Sequence, residues 1–325
     1  MFEGKTVLVT GGTGTFGHAF VKRLLKEPIK KLIIFSRDEL KQHEMRTQEG
    51  YTDERLRFFL GDIRDVDRLR RAFDGVDIVV HAAALKQVPA TEYNPFEAVK
   101  TNILGSQNVI DAALDRNVER AILISSDKAV LPVNLYGSTK LAAEKLFVAA
   151  NHYRSNASST RFGVIRYGNV VGSRGSFVEA VRKQVGGGKI TLTHEDMTRF
   201  WIPIDSVMEV VLEALTLMQG GEIFIPKMKS LGVKDVATLL APTCTIETIG
   251  IRPGEKMHEV LITEHEEART RDIGSMFVIQ PEFTFGSTEA SWLDAKPLAP
   301  AKLGYSSDNL AFRMQEDEAR KLLAL

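Results

Sequence analysis

The chain predicts an α/β fold with a doubly wound parallel sheet and a smaller C-terminal substrate-binding lobe. Two patterns predict the sheet: short runs of Val, Ile, Leu and Phe alternate with longer amphipathic stretches, and the first run opens into a glycine-rich turn. A third predicts the lobe, because past about residue 172 the alternation loosens into shorter segments richer in Gly and Pro.

The expected strands are residues 6–9, 31–35, 56–60, 78–81, 121–125 and 162–166. Each is short and apolar on both faces, which suits a strand covered by helices on either side. The expected helices are residues 17–26, 65–73, 98–117 and 138–155, and such a succession builds right-handed parallel units. Residues 1–172 then form the sheet-bearing domain and 173–325 mainly the lobe, with later segments crossing back. The polar end, GYSSDNLAFRMQEDEARKLLAL, reads as a turn and a closing amphipathic helix.

At 325 residues the chain can bury a sizeable core, and Lys plus Arg balance Asp plus Glu at 42 each. That balance sets up no charge field toward nucleic acid or a membrane surface, so an anionic ligand must be held by local arginines and lysines. Cys244 is the single cysteine, which excludes an internal disulfide and leaves no thiolate set for zinc; no metal is expected. The start MFEGKTVLVTGG lacks the charged, apolar and small-residue succession of a signal peptide, and no apolar run reaches spanning length. A reducing, cytoplasmic setting without membrane insertion is the expectation.

In TGGTGTFG, Gly11, Gly14 and Gly17 follow the first strand and lead into a helix. Glycines there allow a tight turn and a close approach to a pyrophosphate, whose charge meets the positive helix start. With Thr13, Thr15 and Phe16 they make the expected cofactor turn, and residues 1–172 read as a Rossmann-type domain. Ser36 and Arg37 end the second strand and suit a ribose 2′-phosphate, because a guanidinium pairs with phosphate in a charge-assisted fork. Asp38 and Glu39 follow, residue types that serve ribose hydroxyls, with Lys41 beyond them. NADP is the expected cofactor, with Asp62 and Ile63 after the third strand placed to meet adenine.

Tyr136 and Lys140 stand one helical turn apart in YGSTK, and Ser126, Asp127 and Lys128 precede them in SSDK at the end of the fifth strand. A doubly wound sheet puts its chemistry at strand carboxyl ends. Tyrosine with lysine serves hydroxyl deprotonation, and an adjacent acid and base exceed what alcohol oxidation needs. The set suits oxidation plus elimination in one pocket. A solvated surface ion pair is the plain alternative for Asp127 and Lys128.

TGGTGTFG, HAAA at residues 81–84, Asn102 in KTNILGS and YGSTK together resemble the extended short-chain dehydrogenase/reductase superfamily over nearly the whole chain. The resemblance implies cofactor contacts at Ala82, Ala83, Ala84, Lys86 and Asn102, besides Tyr136 and Lys140. It also implies that Lys140 lowers the tyrosine pKa and holds the nicotinamide ribose, and that Ser126 orients the substrate hydroxyl. More narrowly, SSDKAVLPVNLYGSTK, HAAALKQVPATEYNP, RYGNVVGSRGS, MTRFW and RPGEKMHE look like the inverting UDP-N-acetylglucosamine 4,6-dehydratases, which act toward pseudaminic acid and related L-sugars. The chemistry this implies starts with Tyr136 taking the C4 hydroxyl proton while NADP takes the hydride. A neutral Lys128 then removes the C5 proton, and a protonated Asp127 serves the departing C6 hydroxyl. Hydride returns to C6, and C5 is reprotonated from the opposite face. The inverting assignment rests on a lysine at 128, where a retaining enzyme of this type carries glutamate.

The same resemblance implies a nucleotide-sugar half with UDP-N-acetylglucosamine as substrate. Lys86 and Val88 meet phosphate or sugar, Asn169 meets sugar and diphosphate, and Arg174, Gly175, Ser176 and Phe177 add charge and close backbone. Thr193, Met197 and Arg199 face uridine, Arg252 phosphate and Glu255 ribose. Met197, Phe200 and Trp201 read equally as core; His81 reads as structural, and His194 and His258 carry no supporting context. Relatives pair through helices such as 98–117 and 138–155, which implies a homo-oligomer. Open alternatives on this fold are a C4 or C5 epimerase, a C5-retaining dehydratase and a relative feeding L-fucosamine-type sugars. A catalytically silent NADP-binding regulator is the non-enzyme alternative.

Overall fold

The computed structural model describes residues 1–153, 160–173, 175–282 and 304–324. The first six strands are β1 (Thr6–Thr10), β2 (Lys31–Ser36), β3 (Leu56–Leu60), β4 (Ile78–His81), β5 (Arg120–Ile124) and β6 (Arg161–Ile165), each within about one residue of its expected ends. Next come β7 (Asn169–Val170), β8 (Lys189–Leu192), β9 (Thr198–Ile202), β10 (Ile223–Pro226) and β11 (Lys229–Gly232). The last are β12 (Thr245–Thr248), β13 (Val260–Ile262), β14 (Thr270–Asp272), β15 (Met276–Ile279) and β16 (Tyr305–Ser306).

Strands β3, β2, β1, β4, β5 and β6 lie in that order, all parallel, and the order reverses between β1 and β4. A ligand crevice belongs outside the carboxyl ends at that reversal. The chain does cross back: β10 adds parallel to β6, and β15 and β14 complete the sheet antiparallel. The remaining strands form three small sheets, β7 with β9 and β11, β8 with β12, and β13 with β16.

The inner strands β1, β2, β4 and β5 are buried on both faces, as their unbroken apolar runs require, while the edge strand β3 is partly exposed. Val7, Val9, Leu32 and Ile34 join the core under helices Thr15–Leu24 and Ile204–Leu217. Leu8, Ile33 and Phe35 join the opposite core under Gly105–Asp115 and Leu135–Ala149. Burying one such side chain contributes roughly 1.5–3 kcal/mol.

Helix boundaries depart from expectation where caps decide them. The helix expected from residue 138 begins at Leu135, because the Asn134 side chain accepts from Gly137 N at 2.7 Å. Its regular part ends at Ala149. Helix Glu39–Thr47 was not anticipated: its sequence is mostly polar, and it starts where Asp38 accepts from Lys41 N at 3.0 Å. The expected 98–117 helix is a wide π-type segment, Val99–Leu104, followed by Gly105–Asp115. The closing helix is Glu316–Leu323, with Gln315 and Glu318 capping it reciprocally and Ala319 and Leu323 buried.

Candidate active site

A cleft of about 920 Å³ opens at the strand carboxyl ends and is lined by residues from both halves of the chain. Strand β5 delivers the reactive set to its floor. Ser126, two residues past the strand, caps the one-turn segment Asp127–Ala129 through its hydroxyl, while Asp127 N donates to Tyr167 O at 2.9 Å. Helix Leu135–Ala149 then brings Tyr136 and Lys140 to the same floor. Gly137 lets the helix dock: a Cβ there would stand 2.2 Å from the Lys128 carbonyl oxygen.

Asp127 is fully buried, and its Oδ1 accepts from Ser126 Oγ at 2.7 Å and from Lys128 Nζ at 3.1 Å. The surface-pair alternative is thereby excluded for Asp127, whereas the Lys128 side chain is 29% exposed and opens into the cleft. Burial raises the Asp127 pKa, but the Lys128 charge and the bonds from Ser126 and Lys128 outweigh it, so the carboxyl stays below its ordinary value. Burial pulls Lys128 down, and the charges of Asp127 and Glu259 outweigh that and hold it above the usual lysine range. The resting pair is carboxylate and ammonium, the reverse of the neutral-lysine form that the reaction calls for.

Burial also pushes the Tyr136 phenol up; Lys128 and a Ser126 hydrogen bond oppose this, and Asp127 adds to it. Lys128 is thus a cation that favours tyrosinate. Lys140 donates to Ile124 O at 2.6 Å, and burial lowers it to about 8 against the Glu144 charge.

On the cofactor side the lining includes Gly11, Thr13, Gly14, Thr15 and Phe16, then Ser36, Arg37, Asp38 and Lys41. Asp62, Ile63, Ala82, Ala83, Ala84 and Lys86 continue it. The turn fits a dinucleotide. Gly11 has φ +69° with Ala83 backbone 2.9 Å from where a Cβ would lie, and helix Thr15–Leu24 starts with no side-chain cap and no acidic first turn. Gly17, Glu39 and Asn102 lie off the lining. Gly17 is buried in helix packing, and Glu39 is exposed on its helix. Asn102 braces the wall from behind, bonding Leu85 N and O at 2.8 Å each and Thr139 Oγ1 at 2.9 Å.

On the substrate side Val88, Asn169, Gly175, Ser176 and Phe177 line the cleft, as do Thr193, Met197, Arg199, Arg252 and Glu255. Arg174 lies outside the described residues. Glu255 Oε2 is buried with no hydrogen-bond partner among the described residues, as a group awaiting a ligand hydroxyl would be. The Arg199 guanidinium is otherwise engaged: it donates to the carbonyls of Thr198, Lys256 and Met257 and so pins the RPGEK loop. Phe200 and Trp201 are buried core residues.

A family model described as polysaccharide biosynthesis protein matches residues 7–281. The chain belongs to that family. An inverting UDP-N-acetylglucosamine 4,6-dehydratase of Campylobacter jejuni subsp. jejuni serotype O:2 is 46% identical over 331 residues, covering 99% of this chain and 98% of that protein. A UDP-glucose 4-epimerase of Rickettsia typhi is 41% identical over 288 residues, covering 86% and 84%. The X-ray structure of Pen from Bacillus thuringiensis matches with a TM-score of 0.91 at 37% identity, covering 100% of this chain and 98% of that one.

In this polysaccharide biosynthesis protein, two cleft residues passed over in the sequence are Lys256 and Glu259. Both lie in RPGEKMHE, where Arg252 and Glu255 drew attention. Their three-residue spacing matches the Lys256 Nζ to Glu259 Oε2 contact of 3.2 Å, the one local signal that marked them.

Proposed function

We propose that this chain is an NADP-dependent, inverting UDP-N-acetylglucosamine 4,6-dehydratase, forming UDP-2-acetamido-2,6-dideoxy-β-L-arabino-hexos-4-ulose. The observation that carries it is the pairing of buried Asp127 with Lys128, which opens into the cleft, beside Tyr136. An epimerase acting at C4 alone has no use for that pair, and the near-full-length likeness to an enzyme of this name supports the choice.

The bound dinucleotide supplies a hydride acceptor for C4 and a hydride donor for C6. Gly11, Gly14 and the helix start they lead into would hold its pyrophosphate, and Lys140 its nicotinamide ribose. Arg37 would hold a 2′-phosphate: Asp38, the competing carboxylate, is occupied by Lys41 through its N–H at 3.0 Å and its ammonium at 3.0 Å. Tyr136 removes the C4 hydroxyl proton, and the resulting 4-ketone makes the C5 proton acidic.

Asp127 and Lys128 share one proton across their 3.1 Å contact. Moving it from nitrogen to oxygen turns the resting ion pair into neutral lysine and protonated carboxyl without exchange with water. In that form Lys128 removes the C5 proton and Asp127 protonates the leaving C6 hydroxyl, so water departs and the pair returns to its charged state. With the hydride that the dinucleotide would return to C6, the electron pair moves back to C5, which takes a proton derived from water on the opposite face and is inverted.

Incubation with UDP-N-acetylglucosamine in deuterated water, followed by NMR of the product, tests the reading. A 6-methyl, 4-keto product carrying deuterium at an L-configured C5 is expected. A product that keeps its 6-hydroxyl assigns an epimerase, and a D-configured C5 assigns a retaining dehydratase.

A further inference from the structure

Glu259, just before β13, is a buried carboxylate for which the proposed reaction has no assigned task. Its Oε1 lies 3.5 Å from Lys128 Nζ and 3.9 Å from Arg199 Nε. Its Oε2 accepts from Lys256 Nζ at 3.2 Å, and the same ammonium donates to Val130 O at 2.6 Å, just past the catalytic turn. The backbone is clamped as well. Glu259 N donates to Ser307 Oγ at 2.8 Å, and Ser307 N donates to Glu259 O at 2.8 Å. Two residues earlier, buried Tyr305 anchors the clamp by accepting from Met228 N at 2.6 Å. A carboxylate from the C-terminal half is thereby held against the lysine of the catalytic turn. Burying such a charge is costly unless it is paired, and the pairing here is to Lys128 and its neighbours.

We propose that Glu259 is a positioning residue for the elimination step, holding Lys128 toward C5 and stabilising the ammonium that forms as Lys128 takes the proton. This rests on Lys128 being the base. In the step, the C5–H bond breaks, an N–H bond forms on Lys128, and the electron pair passes into the 4-keto system. Glu259 neither gains nor loses a proton. Lys128 is faced by Asp127 from its own turn, Glu259 from the segment before β13, Arg199 from β9 and Tyr136 from helix Leu135–Ala149, while Lys256 competes for Glu259. Without the Glu259 charge, Lys128 is a weaker base and loses the shared proton at lower pH.

The test compares wild type, Glu259→Gln, Glu259→Asp, Lys256→Met and Lys128→Ala, each with bound cofactor. For each, C5 deuterium incorporation, kcat and KM for UDP-N-acetylglucosamine are followed across pH. Glu259→Gln is expected to lower kcat about tenfold or more and to move the limb on which C5 exchange rises as Lys128 becomes neutral down by about one pH unit, the two being equivalent measures of lost base strength. KM and reduction of the bound cofactor stay near wild type, and Glu259→Asp recovers part of the rate. Lys256→Met, which frees Glu259 to face Lys128, moves the limb upward and decides the matter if Glu259→Gln does not fold. An unmoved limb in the variants that fold, or equal loss of cofactor reduction and exchange, overturns the inference. If Lys128→Ala keeps normal C5 exchange, the assignment of the base fails instead.

Discussion

Asp127 and Lys128 are bonded through Oδ1 and Nζ at 3.1 Å, while the other carboxylate oxygen, Oδ2, is buried with no hydrogen-bond partner among the described residues. One oxygen of the acid therefore communicates with the base, and the other is left for a partner that the described residues do not provide. A purely structural carboxylate would satisfy both.

From this division of labour, Lys128→Ala should abolish C5 deuterium exchange and dehydration yet still allow substrate to reduce bound NADP, seen in the nicotinamide absorbance. Asp127→Asn should keep C5 exchange while water loss falls about 10²- to 10⁴-fold, the range for losing a general acid. Equal loss of both activities in Asp127→Asn would make that residue structural.

Cofactor choice turns on Arg37, whose side chain is 55% exposed and only 4.0 Å from Asp62. Asp38 is held by Lys41, so little opposes a phosphate there. Arg37→Ala should weaken NADP binding about 10- to 100-fold, the loss of a charge-assisted contact, and leave NAD within a few-fold. Titration of both cofactors by fluorescence checks it; a wild type that binds NAD more tightly than NADP would sink the assignment.

The strands and the tyrosine–lysine pair could be read from the sequence because each signal lies within one element: apolar runs for β1 to β6, and a one-turn spacing for Tyr136 and Lys140. What could not be read depends on partners far along the chain. Buried Arg166 pairs with Glu144 at 2.7 Å and with Glu266 at 3.0 Å, 22 and 100 residues away, and nothing local marks them. Glu259 escaped notice for the same reason, since its meeting with Lys128 needs the C-terminal half to fold back. Asn102 came from the family resemblance, and a motif alone does not tell a residue that lines the wall from one that stands behind it, where Asn102 bonds Leu85 and Thr139. Charge states were equally hidden: the sequence placed an acid beside a base, and whether they rest as an ion pair depends on how far their mutual attraction, the Ser126 bond and Glu259 outweigh burial.

Gly137 offers a test of how tightly the reactive turn is seated. A Cβ there would meet the Lys128 carbonyl oxygen at 2.2 Å and Pro132 Cβ at 3.0 Å, and backbone cannot yield as a flexible side chain does. Gly137→Ala should displace Lys128 and lower kcat on the order of 10²-fold, the cost of about 1 Å of misplacement. Thermal melts should show a loss of about 2–4 °C for each kcal/mol of strain. Exposed Ser138→Ala, one residue on, serves as the control. Unchanged kcat in Gly137→Ala would mean that the helix and the turn move independently.

His81 gives a stability test with a definite sign. The ring is buried at the end of β4, bonded to Thr10 Oγ1 at 2.7 Å and Ser106 Oγ at 3.1 Å, and stacked on Phe147. Burial, helped by the Lys140 charge, lowers its pKa to about 3. An unfolded histidine titrates near about 6.5, so between those values the unfolded chain holds a proton that the native state lacks. Stability from this site is complete above about pH 6.5 and is lost as pH falls toward about 3, at roughly 1 kcal/mol per unit. His81→Asn removes that dependence, so urea midpoints of wild type and variant should differ most near about pH 7 and converge toward about pH 5. A gap that stays constant across the range would mean that the folded protein accommodates a charged imidazole at β4, and the ring would then be available as an acid.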